Sequence, residues 1–124
     1  MPVETQFPVR TSSGVVWVDL RVGRHLIEAD GRAKSRPVAD GGLADRDLER
    51  VLGDERRRQR EVCAEQFGMT RLTYADHWGA ARTRAVERLL AEYAVTEQRF
   101  GTELTSDQAE FAARMRGRRN KVAG

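Results

Sequence analysis

One cysteine, two histidines and two lysines stand among 124 residues. A lone Cys63 cannot form an intramolecular disulfide, and the paired Cys spacings of structural zinc sites are excluded with it. No apolar run approaches the roughly 20 residues needed to cross a bilayer, and MPVETQFPVR has no hydrophobic stretch of signal-peptide type. The expectation is a cytoplasmic protein with no membrane partner. There is no internal repeat and no low-complexity tract, and the length suits one small domain rather than two cores of ordinary size. The net charge of +3 is too small to diagnose a nucleic-acid binder. Lysine is scarcer than charge alone would suggest: of 22 basic residues all but Lys34 and Lys121 are Arg. Against that background Lys34 stands out.

The chain changes character near Asp40-Gly41-Gly42. Before it the signal is β. Val3 to Val9 reads as a short strand, and Gly14 to Leu20 is rich in β-branched and aromatic residues. Gly23 supplies a tight turn into His25 to Asp30, which makes a hairpin with the strand before it. Alternation sets Glu28 and Asp30 on one face of that strand and Ile27 and Ala29 on the other. After the glycines, Leu43 to Gln66 reads as helix, with Gly53 as a point of interruption. Met69 to Tyr74 alternates as a further strand. From Gly79 to Phe100 the stripe Val86, Leu89, Leu90, Tyr93 and Phe100 predicts a helix that covers its own sheet. A last helix begins at Thr105 with a capping box to Gln108, and ends in a fraying basic tail, Arg116 to Lys121. The expected fold class is α/β (α+β): a small mixed sheet whose hairpin carries carboxylates, flanked by helices, with two C-terminal helices.

Asp19 lies in an otherwise apolar strand, where burying a carboxylate is costly unless a cation or hydrogen bonds compensate it. If the hairpin pairs as expected, Asp19 approaches Glu28 and Asp30. Like charges so close repel, and a divalent cation is the simplest remedy. Hard oxygen ligands suit Mg²⁺ or Mn²⁺, ions that activate water and neutralise phosphate charge. Lys34 follows closely enough to place its ammonium beside an attacked phosphate.

Asp19, then Ile27-Glu28-Ala29-Asp30-Gly31, then Lys34, resembles the PD-(D/E)xK nuclease superfamily, and within it the small endonuclease-domain proteins related to very short patch repair endonucleases. Asp54-Glu55-Arg56-Arg57-Arg58 is similar to the family's acidic-basic helix, and Met69 to Trp78 to its strand ending in a "TYxD" pattern. The likeness runs from Glu4 to Trp78. It implies a restriction-endonuclease-like core over 1–78 with a helical extension over 79–124. It also implies that Asp19 and Glu28 hold the metal and that DNA phosphodiesters are the substrate. The superfamily's lysine normally sits two residues after the Glu, where this chain has Asp30; Lys34 would take its role.

The expectation is therefore a Mg²⁺- or Mn²⁺-dependent DNA endonuclease, with Asp19, Glu28 and Asp30 as metal ligands and Lys34 stabilising phosphate charge. Arg32, Arg56, Arg57, Arg58, Arg118 and Arg119 are the candidates for DNA contact. The alternative is a catalytically inactive nuclease fold that binds DNA or protein, and a homodimer through the helix from Val86 to Phe100 is a further expectation. His25 and His77 read as structural, Trp17 and Trp78 as core, and Cys63 as a small inert hydrophobe.

Overall fold

The computed structural model describes residues 3–30 and 45–123. Three strands come first: β1 (Val3–Thr11), β2 (Gly14–Val22) and β3 (His25–Asp30). Helix α1 (Asp45–Cys63) leads to β4 (Gly68–Thr73), then to α2 (Gly79–Phe100) and α3 (Ser106–Ala123). The strands form one sheet in the order β1-β2-β3-β4. The first three are antiparallel neighbours, while β3 and β4 run parallel. A parallel pair needs a long crossover, and α1 lies on it. The α+β class expected from the sequence is the architecture found.

Local chemistry explains the turns. Val22 pairs with His25 across a two-residue connection, and Gly23 there has φ 60°, a left-handed conformation that glycine adopts without steric cost. At α3 the capping box is complete. Thr105 N–H donates to Gln108 Oε1 at 3.0 Å and Gln108 N–H donates to Thr105 Oγ1 at 3.1 Å. Each satisfies a donor that the helix itself cannot.

Parity along the strands separates the helices. Thr70 Oγ1 donates to Glu92 of α2 at 2.8 Å, whereas the next residue, Arg71, pairs with Glu55 of α1 at 2.8 Å. Adjacent strand residues point to opposite faces, so α1 and α2 cover opposite faces of the sheet at β4. The buried apolar cluster is Phe7, Val9, Val18, Leu26, Val62, Phe67, Met69 and Ala112. It draws on strands, α1 and α3 together. The edge strand β1 carries a fully buried Pro8, and α3 is tied to it by Arg116, which pairs with Glu4 and donates to the Thr5 carbonyl.

Four sequence expectations are corrected. Gly53 does not interrupt α1, because nothing crowds that position and one glycine costs a long helix only about 1 kcal/mol. The basic stretch from Arg116 to Lys121 continues as helix to Ala123 instead of fraying, held at Arg116 by Glu4. Trp78 is 62% exposed rather than core. The stripe of α2 also differs: its buried residues are Ala85 and Thr96, while Val86 and Leu90 face outward. Among the described residues no helix is long and apolar enough to cross a membrane.

The reason for small residues under α2 is close approach. Thr96 Oγ1 contacts His25 Nδ1 at 2.8 Å, and Thr70 Oγ1 contacts its Nε2 at 2.7 Å. His25 is thus the structural residue the sequence suggested, with both ring nitrogens engaged. A Cβ added to Gly68 would collide with Thr96 Oγ1 and lie 2.9 Å from His25 Nδ1. Gly68→Ala is therefore expected to lower stability by about 1–3 kcal/mol, the usual cost of overpacking, measured by urea denaturation. A second change, Thr96→Ala, should restore much less than it would if the two sites were independent of His25, because it also removes a hydrogen bond from the buried ring.

Candidate functional site

The site forms where two paired strands part. Pairing between β2 and β3 runs from Val22–His25 through Arg21–Leu26 to Leu20–Ile27. Continuing that register by count sets Asp19 opposite Glu28 and Trp17 opposite Asp30. The backbone ladder stops first. The amide N–H of Ala29 donates instead to Asp19 Oδ2 at 2.9 Å, so the carboxylate takes the place of a ladder carbonyl. On the other side of the split, the Trp17 carbonyl accepts from Arg58 Nη2 at 2.8 Å. Both the Ala29 amide and the Trp17 carbonyl are thus satisfied by side chains.

Glu28 lies between them. It is 9% exposed, and the Asp19 carboxylate stands beside it. Arg58 Nη2 lies 2.8 Å from Glu28 Oε1, yet Oε1 is buried without a hydrogen bond. The ion pair is thus close in charge and poor in direction, since the same nitrogen serves the Trp17 carbonyl. Burial pushes the Glu28 pKa up; the Arg58 charge opposes this, and the neighbouring Asp19 adds to it through charge and hydrogen bond, with Arg71 a weaker downward influence. Arg71 is positioned by the sheet, as the β4 partner of Glu28, and its own carboxylate partner is Glu55.

The sequence candidates distribute as follows. Asp19 and Glu28 come together. Asp30 ends β3 in the paired register with Thr73, but its side chain, with Arg32 and Lys34, lies outside the described residues. Of the arginine run, only Arg58 reaches the carboxylates; Arg56 is exposed and Arg57 pairs with Asp54 at 2.9 Å on the outer side of the helix. Arg118 is exposed, and Arg119 lies over the Trp17 ring, 4.7 Å from its centroid. That contact brings the far end of α3 to within two residues of Asp19 on β2.

Sequence reasoning missed Glu55, Arg71 and the Trp17 carbonyl. A helical signal for part of this exists: Val51, Glu55, Arg58 and Val62 fall at i, i+4, i+7 and i+11, one stripe of α1, and none of the four is exposed. Among Arg56, Arg57, Arg58 and Arg60, that stripe selects Arg58.

Two adjacent carboxylates, one with a buried oxygen lacking a hydrogen bond, suit a hard divalent cation, and Mg²⁺ commonly takes one or two carboxylates and fills its remaining positions with water and phosphate oxygens. Among the described residues no group of three or more His, Cys, Asp or Glu is placed to hold a metal ion. The donor set among the described residues is therefore a pair, Asp19 and Glu28.

The pKa directions fix a stability profile. Glu28 is raised from 4.5 by burial, so its contribution is fully present below that ordinary value and is lost as pH rises through the folded value. His25 is lowered from 6.5 by burial, against the pull of Glu92; its contribution is present above 6.5 and is lost as pH falls through the folded value. Glu28→Gln removes the first of these losses and keeps a polar group in the fork. Its melting temperature at neutral pH is expected to equal or exceed that of the wild type, by an amount equivalent to about 1 kcal/mol, and its stability should no longer decline on the alkaline side of 4.5. Thermal melts across pH 4 to 8 check this, and a large loss of stability in Glu28→Gln would contradict it.

Compared with protein-family models, curated proteins and solved structures, the chain matches none.

Proposed function

We propose that this protein is a metal-dependent DNA endonuclease of PD-(D/E)xK type, acting at the fork between β2 and β3. The observation that carries the reading is the meeting of Asp19 with the buried, charge-strained Glu28 at the point where the strands part. Carboxylates held together against their repulsion cost stability, and such cost is commonly retained where function needs it. The order of elements also supports the reading: a carboxylate hairpin, a helix bearing Glu55 and Arg58, and a parallel strand carrying Arg71.

Asp19 and Glu28 would hold Mg²⁺ or Mn²⁺. When bound, such an ion lowers the pKa of water and neutralises charge on a phosphate. Asp19 is oriented for this by the Ala29 N–H, and Glu28 by its pairing with Arg71 of β4. Lys34 remains the sequence candidate for a phosphate-stabilising cation. Arg118 and Arg119 give α3 a basic end beside Trp17, suited to the DNA backbone. A cytoplasmic location fits this substrate.

The test is cleavage of plasmid and single-stranded DNA with Mg²⁺ or Mn²⁺. Asp19→Asn and Glu28→Gln are each expected to lower the rate by about 10³-fold or more while keeping the fold, and Lys34→Arg should lower it less, since a planar fork replaces a compact charge. A wild type without cleavage, or one unaffected by either carboxylate change, overturns the enzymatic reading and leaves the nuclease-fold binding module.

One observation favours an added role in assembly. Val86 and Leu90, one turn apart on α2, are 47 and 62% exposed. A homodimer through this face is expected to show a concentration-dependent mass in sedimentation, reduced to monomer by Leu90→Glu; a monomer at all concentrations contradicts it.

A further inference from the structure

We infer that Arg58 is the resident counter-charge of Glu28 in the free protein and gives up that place on metal binding, its guanidinium turning to the substrate phosphate. The inference rests on the nuclease reading above, and extends it to a residue that the arginine run had marked only for general DNA contact.

The geometry of the fork makes Arg58 movable. Its Nη2 donates to the Trp17 carbonyl at 2.8 Å and lies 2.8 Å from Glu28 Oε1, but Oε1 gains no hydrogen bond from it. A charged contact without directed hydrogen bonding is the weaker of the two to break. One nitrogen makes both contacts, so the guanidinium leaves the carbonyl and Glu28 together. The side chain is 35% exposed, against 12% for Glu28, so its way out leads to solvent rather than through the core.

Charge points the same way. A guanidinium against Glu28 stands where a cation bound to that carboxylate would stand, and two positive charges a few ångströms apart in a partly buried site repel. The ion and Arg58 therefore compete for Glu28. Arg71 cannot serve in this exchange, because Glu55 holds it at 2.8 Å. Once displaced, Arg58 presents a planar fork with the geometry that bidentate phosphate recognition needs. Arg58 thus has two settings: it screens the carboxylate pair in the free protein and binds phosphate in the loaded one.

The experiment titrates Mn²⁺ into the full chain without DNA, following free Mn²⁺ by electron paramagnetic resonance. Arg58→Ala and Arg58→Gln are compared with the wild type and with Asp19→Asn. Arg58→Gln removes the charge but retains an amide donor for the Trp17 carbonyl, so it serves should Arg58→Ala prove unstable in thermal melts. Both Arg58 variants are expected to bind Mn²⁺ about tenfold more tightly than the wild type, Asp19→Asn to bind much more weakly, and DNA cleavage by Arg58→Gln to fall despite the tighter metal. Unchanged or weaker Mn²⁺ affinity in Arg58→Gln, with wild-type binding abolished by Asp19→Asn, overturns the exchange and leaves the nuclease reading intact. Absence of Mn²⁺ binding in the wild type and in both Arg58 variants overturns both.

Discussion

A single buried guanidinium ties the separate parts of this chain together. Arg24, 3% exposed, sits in the two-residue turn between β2 and β3. Its Nε donates to the Gln66 carbonyl at 2.9 Å and its Nη2 to the Glu65 carbonyl at 3.3 Å, both just beyond α1. Its Nη1 donates to the Glu103 carbonyl between α2 and α3, at 2.9 Å, and to Gln108 Oε1 in the first turn of α3, at 3.0 Å. Carbonyls at helix ends lack intrahelical partners, and one planar group with five donors meets several at once. The Gln108 amide completes the knot by donating to the Glu65 carbonyl at 2.9 Å. Hairpin, crossover and C-terminal helices are thereby fixed to one point. Burial lowers the pKa of Arg24, but a guanidinium remains charged in proteins. The Phe67 ring, 5.2 Å from it, offers a further favourable face.

At the opposite end of β3 the logic inverts. Near Arg24 the carbonyls of Glu65, Gln66 and Glu103 are gathered onto one side chain, whereas at the fork the strands separate and side chains substitute for the ladder. The charges of Asp19 and Glu28 oppose one another, and Arg58 relieves this only in part. The sheet therefore has a stable end and a strained end. A strand held rigidly at His25 by Thr70 and Thr96 can carry such strain three residues later without losing its register.

Most of the element boundaries were legible in the sequence because periodicity and turn chemistry agreed. Gly23 and the box from Thr105 to Gln108 acted locally, and local signals survive without tertiary knowledge. Alternation also paired Asp19 with Glu28, since one fixed turn sets the whole hairpin register. What escaped depended on contacts distant in sequence. The packing face of α2 follows from a polar histidine and a glycine on the sheet, so Ala85 and Thr96 are buried in place of the more apolar Val86 and Leu90. Trp78 was misjudged for the same reason: hydrophobicity gives the tendency to bury, not the presence of a surface to bury against. Arg58 was hidden among identical neighbours, and only its stripe on α1 distinguishes it. Lys34, the residue that composition made conspicuous, lies outside the described residues.

The edge strand β1 has a consequence for how copies of this protein can meet. An open sheet offers its outer strands as templates for further strands, a route to uncontrolled polymerisation. Pro8 leaves β1 without one amide donor, and Arg116 occupies the Thr5 carbonyl. At the far edge Arg88 of α2 donates to the Arg71 carbonyl of β4 at 2.9 Å. Each margin thus has groups withheld from a passing strand, by residues contributed from helices packed for other purposes. Growth of the sheet from one molecule into the next is discouraged at these positions of both margins, which favours side-chain surfaces over backbone pairing where copies of this chain meet.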